Sequence, residues 1–525
     1  MALQLPQLDY ASVESLLQSR FVEDTITRLN DLPLPESLAN LAHIAREIQE
    51  AIAHNQRIAI VGDYDVDGVV SCAILDAFFK KINYPIAVEI PNRFADGYGL
   101  SQSVIARLDC DVIITVDNGI NAIEAAQICK ERGITLLITD HHTPQEVLPD
   151  ALICNPKLSK DFPEPEICGA CVAWYLCAAL KNAMQIKVSM VEFLDLLALA
   201  IVSDVMPLRG MNRVLLKKGL EVLAQSKRTA LIHLKEKFSK HNVDEQLIGY
   251  YIAPLLNCAG RMDSAMLAYN FLVTEDKVES KKLLEQLVEI NAKRKALQQS
   301  IYEEAKAMFC REKDYAGIPF ILVFNSDWHE GIIGIIAARL SEEFLKPSIV
   351  LTLKGGILKG SMRSIHTDCM EVLESAKEYL CEFGGHFGAA GLSLKLENLE
   401  AFRDSLMHFQ YTKAHKDSAF NNALGYLSLR HITPEFFTMV QSFAPFGNGN
   451  MIPKFYVQAK VVDVRCFGAG HSSVRLQEKG RVCNALVFFK DLREKVGQKI
   501  SCIYSLQWDK YSNDVLLNLE YYEFL

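Results

Sequence analysis

From about Arg57 to Thr139, short apolar runs alternate with polar loops rich in acid and with helix-patterned stretches. The runs Arg57–Val61, Ile86–Ile90, Asp111–Val116 and Ile134–Thr139 are nearly continuous in aliphatic and β-branched residues, the pattern of strands buried on both faces of a parallel sheet. Between them Val69–Lys81, Ser101–Leu108 and Ala122–Arg132 predict crossover helices, so this part of the chain is predicted to be α/β. From Val188 to about Cys310 a helical period takes over. Val278 to Phe309 lacks both Gly and Pro and places Leu284, Leu287, Leu297, Ile301 and Ala305 at helical spacings, which predicts one long connecting helix. Its charges are of both signs, as on a solvated face rather than a DNA-binding stripe. A second α/β unit opens with the strand Pro319–Val323 and runs to about Gln410. Beyond it Phe455–Val462 and Asp514–Leu519 are strand-like and turn residues recur often, which predicts an all-β barrel.

At 525 residues the chain is too long for one hydrophobic core. The pattern divides it into 1–210, an N-terminal segment with the first α/β domain; 211–315, a helical connector; 316–412, the second α/β domain; and 422–525, the barrel. The most apolar stretch, Phe193–Val202, is broken by Asp195 and falls well short of the roughly 20 residues a membrane span needs. The N-terminus lacks a signal-peptide pattern, so no membrane association and a cytoplasmic location are expected. The 14 cysteines lie mostly in apolar contexts and are expected to be buried thiols, with Cys168-Gly169-Ala170-Cys171 a chance spacing. A formal charge of −9 argues against a protein that coats nucleic acid by charge alone. It leaves a nuclease open, because carboxylates gathered around divalent cations lower the formal count.

The chemistry concentrates at strand ends. Gly62-Asp63-Tyr64-Asp65-Val66-Asp67-Gly68 follows the first strand with three alternating carboxylates. An EF-hand loop shares this opening, but its twelfth position would be Ile74 instead of Glu, and a strand stands where a helix should precede it. The carboxyl end of a parallel strand is instead where open α/β sheets place their sites. Asp117 and then Asp140-His141-His142 occupy the same position after later strands, and Asp204 follows a further apolar run. Helix capping accounts for any one of these acids. It does not account for all of them together, nor for the His pair. Carboxylates with imidazole suit Mn²⁺ or Mg²⁺. Two such ions bridged by a carboxylate would serve phosphoryl displacement.

Asp65-Val66-Asp67-Gly68, Asp117-Asn118-Gly119 and Asp140-His141-His142 resemble the signature motifs of the DHH phosphoesterases, and Phe383-Gly384-Gly385-His386 with Ala389-Ala390-Gly391 resembles the motif of the accessory DHHA1 domain. Within that superfamily the segments Asn92–Leu100, Asn257–Met262, Asp327–Gly334 and Pro445–Asn450 are similar to the RecJ exonuclease branch. The resemblance implies a parallel-sheet DHH domain, a long connecting helix, a DHHA1 domain and a C-terminal OB-like barrel that binds nucleic acid. It makes Asp65, Asp67, Asp117, His141 and Asp204 the metal ligands, with Asp117 as bridge, and Asp63, Asp140 and His142 their catalytic supports. It places substrate at Asn92, Arg93, Arg261, Gly360, Ser361, Arg363, Gly384, Gly385 and His386. For the segment Lys359–Ser364 a loop is expected, whose backbone amides and Arg363 fork suit phosphate oxygens. Met362 and Cys171 depart from the residues usual in that branch.

The implied activity is 5′→3′ hydrolysis of single-stranded DNA to 5′-mononucleotides in recombination and repair. The implied enzyme is a monomer that works with a helicase and a single-strand-binding protein. Base stacking is an option for Phe94, Tyr98 and Trp328, and core packing is an equal or better one. A small-substrate DHH phosphodiesterase, acting on oligoribonucleotides or cyclic dinucleotides, is the first alternative, and such chains usually stop before a segment like Asn422–Leu525. An inactive DNA-binding scaffold is the second, and it expects ligands that have been lost.

Overall fold

The structure is a computed structural model that describes residues 5–312, 317–411, 423–468, 470–488, 490–510 and 512–525. The expected boundaries at 315–316, 412 and 422 lie outside the described residues. The chain forms two compact units: Met1–Ala253 with Tyr269–Ser280 and Asp417–Leu525, and Pro254–Ala268 with Lys281–Lys416. Residues 211–253, expected in the connector, thus belong to the first unit.

In the first unit, strands Ile86–Glu89, Ile58–Val61, Val112–Val116, Thr135–Thr139 and Leu152–Cys154 lie side by side in that order, all parallel. Every residue of Ile58–Val61 and Val112–Val116 is buried, as their unbroken apolar runs require. The helices Gln102–Arg107 and Ile123–Glu131 cover one face through Val104, Ile105, Ala125 and Ala126. Val66–Lys81 packs against Gly169–Ala183 and Leu194–Ser203. The chain leaves Ile58–Val61 for one neighbour and returns to the other, so strand order reverses there. Such a reversal opens a crevice at the carboxyl ends of the strands.

The same unit carries the barrel. Strands Phe455–Phe467, His471–Glu478, Arg481–Val487, Lys499–Asp509 and Asp514–Phe524 join in one sheet, which a pairing of the first with the fourth closes. At the sheet's edge Gln7–Leu8 pairs in parallel with Tyr426–Leu427, so the first described residues belong to the barrel's sheet.

The helix Lys277–Arg311, which belongs to the second unit from Lys281 on, precedes a five-stranded sheet. Its order is Leu380–His386, Ala389–Lys395, Ile357–Arg363, Ser348–Lys354 and Ile321–Phe324, antiparallel except for the last pair. The Glu330–Phe344 helix packs on Ser348–Lys354 and Ile357–Arg363. Among the described residues no helix is long and apolar enough to cross a membrane.

Candidate functional site

The crevice of the first unit collects the acids from the strand ends. Asp65 caps the Val66–Lys81 helix, accepting from the Asp67 amide at 2.9 Å and the Gly68 amide at 3.2 Å. Capping explains its backbone position, yet its carboxylate also faces Asp63 and Asp117, and the three offer oxygens within 4.8 Å of one another. Asp67, His141 and Asp204 form a second such group, and Asp117, His141 and His142 a third. The structure therefore groups Asp63 with the ligand-type acids instead of leaving it behind them.

His141 stands at the middle. Its Nε2 lies 3.1 Å from Asp117 Oδ1 and 3.7 Å from both Asp67 Oδ2 and Asp204 Oδ2. Burial lowers its pKa, against the pull of Asp67, so the neutral imidazole a metal needs is the favoured form. Asp140 acts differently. Its Oδ1 accepts from the His141 and His142 amides and from His142 Nδ1 at 2.8 Å, and its Oδ2 accepts from the Ile120 amide. Burial alone would depress His142. The hydrogen bond and charge of Asp140, with Asp63 and Asp65 behind, hold it up at about 9.

The remaining acids are short of partners. Asp63 Oδ1, both oxygens of Asp117 and Asp204 Oδ2 are buried without a hydrogen bond among the described residues. Burial first, and then the neighbouring carboxylates, push Asp63, Asp65 and Asp117 upward and take Asp204 to about 8. Backbone strain coincides with the cluster: Asp117 has φ 60° and Val205, beside Asp204, has φ 54°. Left-handed conformations in non-glycine residues concentrate at functional sites. Orphaned buried carboxylate oxygens around a neutral imidazole fit divalent cations, which would supply the missing charge.

Asp67 is held by residues a hundred positions away. Its carboxylate accepts from the Gly169 amide at 2.6 Å and the Ala170 amide at 2.8 Å, at the start of the Gly169–Ala183 helix. A Cβ on Gly169 would come within 2.5 Å of the Asp117 side chain. The Cys168–Cys171 segment, expected to be chance spacing, thus supports the site through its backbone while both thiols are buried and free. The Gly at its second position was the one available signal.

Asn92 forms a turn, its Oδ1 accepting from the Phe94 amide at 2.9 Å. Arg93 sets its guanidinium 5.2 Å from the ring centre of Tyr64, on the acid loop itself. Exposed Tyr98 borders the site, with its hydroxyl 3.4 Å from His142. Trp328 is 4% exposed and belongs to the core around Ile332 and Ile336, so stacking on it is ruled out.

The second unit presents a different surface. Register aligns Arg363, Ala389 and His386 in one row across three strands, and Ser361, Gly391 and Gly384 in the next. Directly paired residues share a face, so these rows form a ledge: bare backbone at Gly384 and Gly391, with Arg363 and Ser361 at one side. A Cβ on Gly334, in the first turns of the Glu330–Phe344 helix, would lie 3.1 Å from both Arg363 Nη2 and Ser361 Oγ. Arg261 lies in the last turn of the Ala253–Met262 helix, whose backbone is in close contact with Gly331.

One expectation here is corrected. Lys359–Arg363 is no loop: it lies in a central strand paired on both sides, so its amides are taken up by the sheet. Gly360 serves packing instead, since a Cβ there would meet Leu351 at 2.4 Å and Leu392 at 2.9 Å. Met362 is fully buried in the core on the opposite face from Arg363. The Gly384–His386 motif likewise ends an edge strand.

A third feature lies in the first unit, where a groove of about 930 Å³ runs along the barrel, lined by Tyr250, Tyr251, Phe437, Arg465, Arg475 and Trp508 among others. Tyr250, 75% exposed, sits in the π-helical turn Ile248–Ile252.

Three family models match the chain: the DHH family N-terminal domain over residues 57–201, the DHHA1 domain over 317–410 and the RecJ OB domain over 425–522. The single-stranded-DNA-specific exonuclease RecJ of Dickeya dadantii is 32% identical over 84% of this chain and 82% of its own length. The Bacillus subtilis RecJ is 32% identical over 91% of this chain, which spans 62% of that longer protein. The crystal structure of Thermus thermophilus RecJ in complex with Mn²⁺ superposes with a TM-score of 0.82 at 26% identity, covering 98% of this chain and 79% of that one.

Proposed function

The chain belongs to the RecJ family of single-stranded-DNA-specific exonucleases, and we propose that it degrades single-stranded DNA in the 5′→3′ direction to 5′-mononucleotides. The observation that carries this reading is the set of orphaned, buried carboxylate oxygens converging on neutral His141 at the switch point of a parallel sheet. Asp65, Asp67, Asp117, His141 and Asp204 would hold two Mn²⁺ or Mg²⁺ ions, with Asp63 joining Asp65 and Asp117 on one side. Two such cations lower the pKa of a water and stabilise the leaving oxygen of a phosphoryl displacement.

The chain's own residues prepare that chemistry. The Gly169 and Ala170 amides fix the direction of the Asp67 carboxylate. Asp140 orients His142 through the Nδ1 hydrogen bond and sets it beside Asp117, a position suited to the phosphate or the departing oxygen. Arg93 and Arg261 offer forks for backbone phosphates. On the ledge, Ser361, Arg363 and His386 take a phosphate over the bare backbone of Gly384 and Gly391. The aromatic and basic groove of the barrel binds the strand away from the reaction by stacking and charge. We further propose a monomer that takes its strand from a helicase and a single-strand-binding protein. A cytoplasmic location agrees with 14 cysteines that are all free thiols.

The test is a Mn²⁺-dependent time course on single-stranded DNA labelled at either end, run beside Asp117→Ala and beside a dinucleotide and pyrophosphate. Immediate release of a 5′-labelled mononucleotide, absent in the variant, is the expected result. Turnover of the small substrates alone would reassign the enzyme to the small-substrate phosphodiesterases, and silence on all of them would leave a DNA-binding scaffold.

A further inference from the structure

The strands Leu380–His386 and Ala389–Lys395 are joined by two residues, Phe387 and Gly388, with His386 paired directly to Ala389. Two-residue hairpin loops favour Gly, Asn and Asp, which adopt the tight turn readily. A phenylalanine contributes nothing to such a turn. Here the ring is 54% exposed, outside the core that Phe320, Phe402 and Phe383 build on this sheet. Folding therefore gives no reason for an aromatic at this position.

The backbone that carries the ring is held firmly. The Cys369 amide donates to Phe387 O at 2.8 Å and the Ser364 amide to Gly388 O at 3.1 Å, so both loop carbonyls are tied to the segment that follows Arg363. That segment adds a second apolar side chain, Ile365, 45% exposed. The tip stands one residue past His386, at the end of the row that Arg363 opens. A cation, a hydroxyl and bare backbone suit a phosphate and sugar. An aromatic at their border suits what is left of a nucleotide.

We propose that Phe387 is a stacking platform for the nucleobase of the nucleotide whose phosphate Arg363 and Ser361 receive. The proposal rests on the exonuclease reading and deepens it by naming how this ledge grips a base without reading its identity. Every base presents a π-face, so a platform of this kind grips all four alike. A tip fixed in advance binds without an ordering cost.

The test is a scan with Mn²⁺-loaded enzyme on 5′-phosphorylated oligonucleotides carrying an abasic residue at the first, second or third position. For the wild type, kcat/KM should fall about tenfold at one of these positions. Phe387→Ala should lose a similar factor on the intact strand and show no further loss at that position, while Phe387→Trp keeps the wild-type sensitivity. Phe387→Ala that still distinguishes the abasic strand as the wild type does would overturn the platform and leave the exonuclease standing, since intact strands would still be degraded. No cleavage of any strand by the wild type would overturn the exonuclease reading and the platform with it.

Discussion

At the ends of the Ile58–Val61 and Val112–Val116 strands, buried carboxylates face one another with oxygens left unpaired, whereas on the sheet of the second unit a guanidinium and glycine backbone lie toward solvent. The first region is unfavourable by itself, because like charges out of water raise one another's pKa. Cations held among these oxygens would offset that repulsion. The second is stable as it stands, its amides paired in strands and its glycines leaving a flat surface. On the proposed reading metal completes the first and substrate the second, and positive φ at the non-glycine residues Asp117 and Val205 marks the first.

The sharpest way to break this contrast is Asp117→Ala. Removing the acid shared between two ligand groups should lower kcat/KM on labelled single-stranded DNA by about 10³-fold or more, with Mn²⁺ binding lost in calorimetry. A variant that kept its Mn²⁺ affinity would move the metal away from this cluster.

Next comes stability. Mn²⁺ at a hundred times its Kd should stabilise the wild type by about 2.7 kcal/mol, read as a rise in Tm. Without metal the sign follows from the raised carboxylates. Asp204 titrates at about 8 in the folded chain and near 4 unfolded, so between those values the folded state holds protons that the unfolded state has released. Metal-free Tm should therefore fall as pH rises from 6 to 8. Asp204→Asn should shrink that fall, and an unchanged slope would show that the acids do not repel as their burial implies.

Arg363→Ala probes the other region. A charge-assisted hydrogen bond to phosphate contributes about 1.5–3 kcal/mol, so KM should rise tenfold or more with Mn²⁺ affinity unchanged. An effect on metal binding would erase the distinction between the two sites. The smallest change is expected for Tyr250→Ala in the barrel groove, about fivefold in affinity for a long strand, near the lower end of base-stacking values. An oligonucleotide too short to reach the groove should show no change.

Much of the first region was legible in the chain. Parallel strands are buried on both faces, so they stand out as unbroken apolar runs, and the loops at their carboxyl ends must carry whatever polar function exists. Asp63, Asp65, Asp67, Asp117, Asp140, His141 and His142 could be placed at one edge on that ground, and the structure groups them, Asp140 through its hydrogen bonds to the two histidines. The ledge was less legible. Lys359-Gly360-Ser361-Met362-Arg363 contains the residues of a phosphate loop, and its glycine suggested one. In the fold that glycine makes room for Leu351 and Leu392.

The sequence by itself determined the alternation of elements, the long Lys277–Arg311 helix, the barrel and the acids at the strand ends, because each is written in local periodicity and in the chemistry of neighbouring residues. Tertiary structure alone decided that the Gly169 and Ala170 amides hold Asp67, that Gln7–Leu8 pairs with Tyr426–Leu427, that Asp63 stands with Asp65 and Asp117, and that Arg363 and His386 share a row. Those facts depend on strand register and on contacts between residues far apart in the chain. A pattern of apolar and polar positions records which side of an element is buried. It does not record what lies against it.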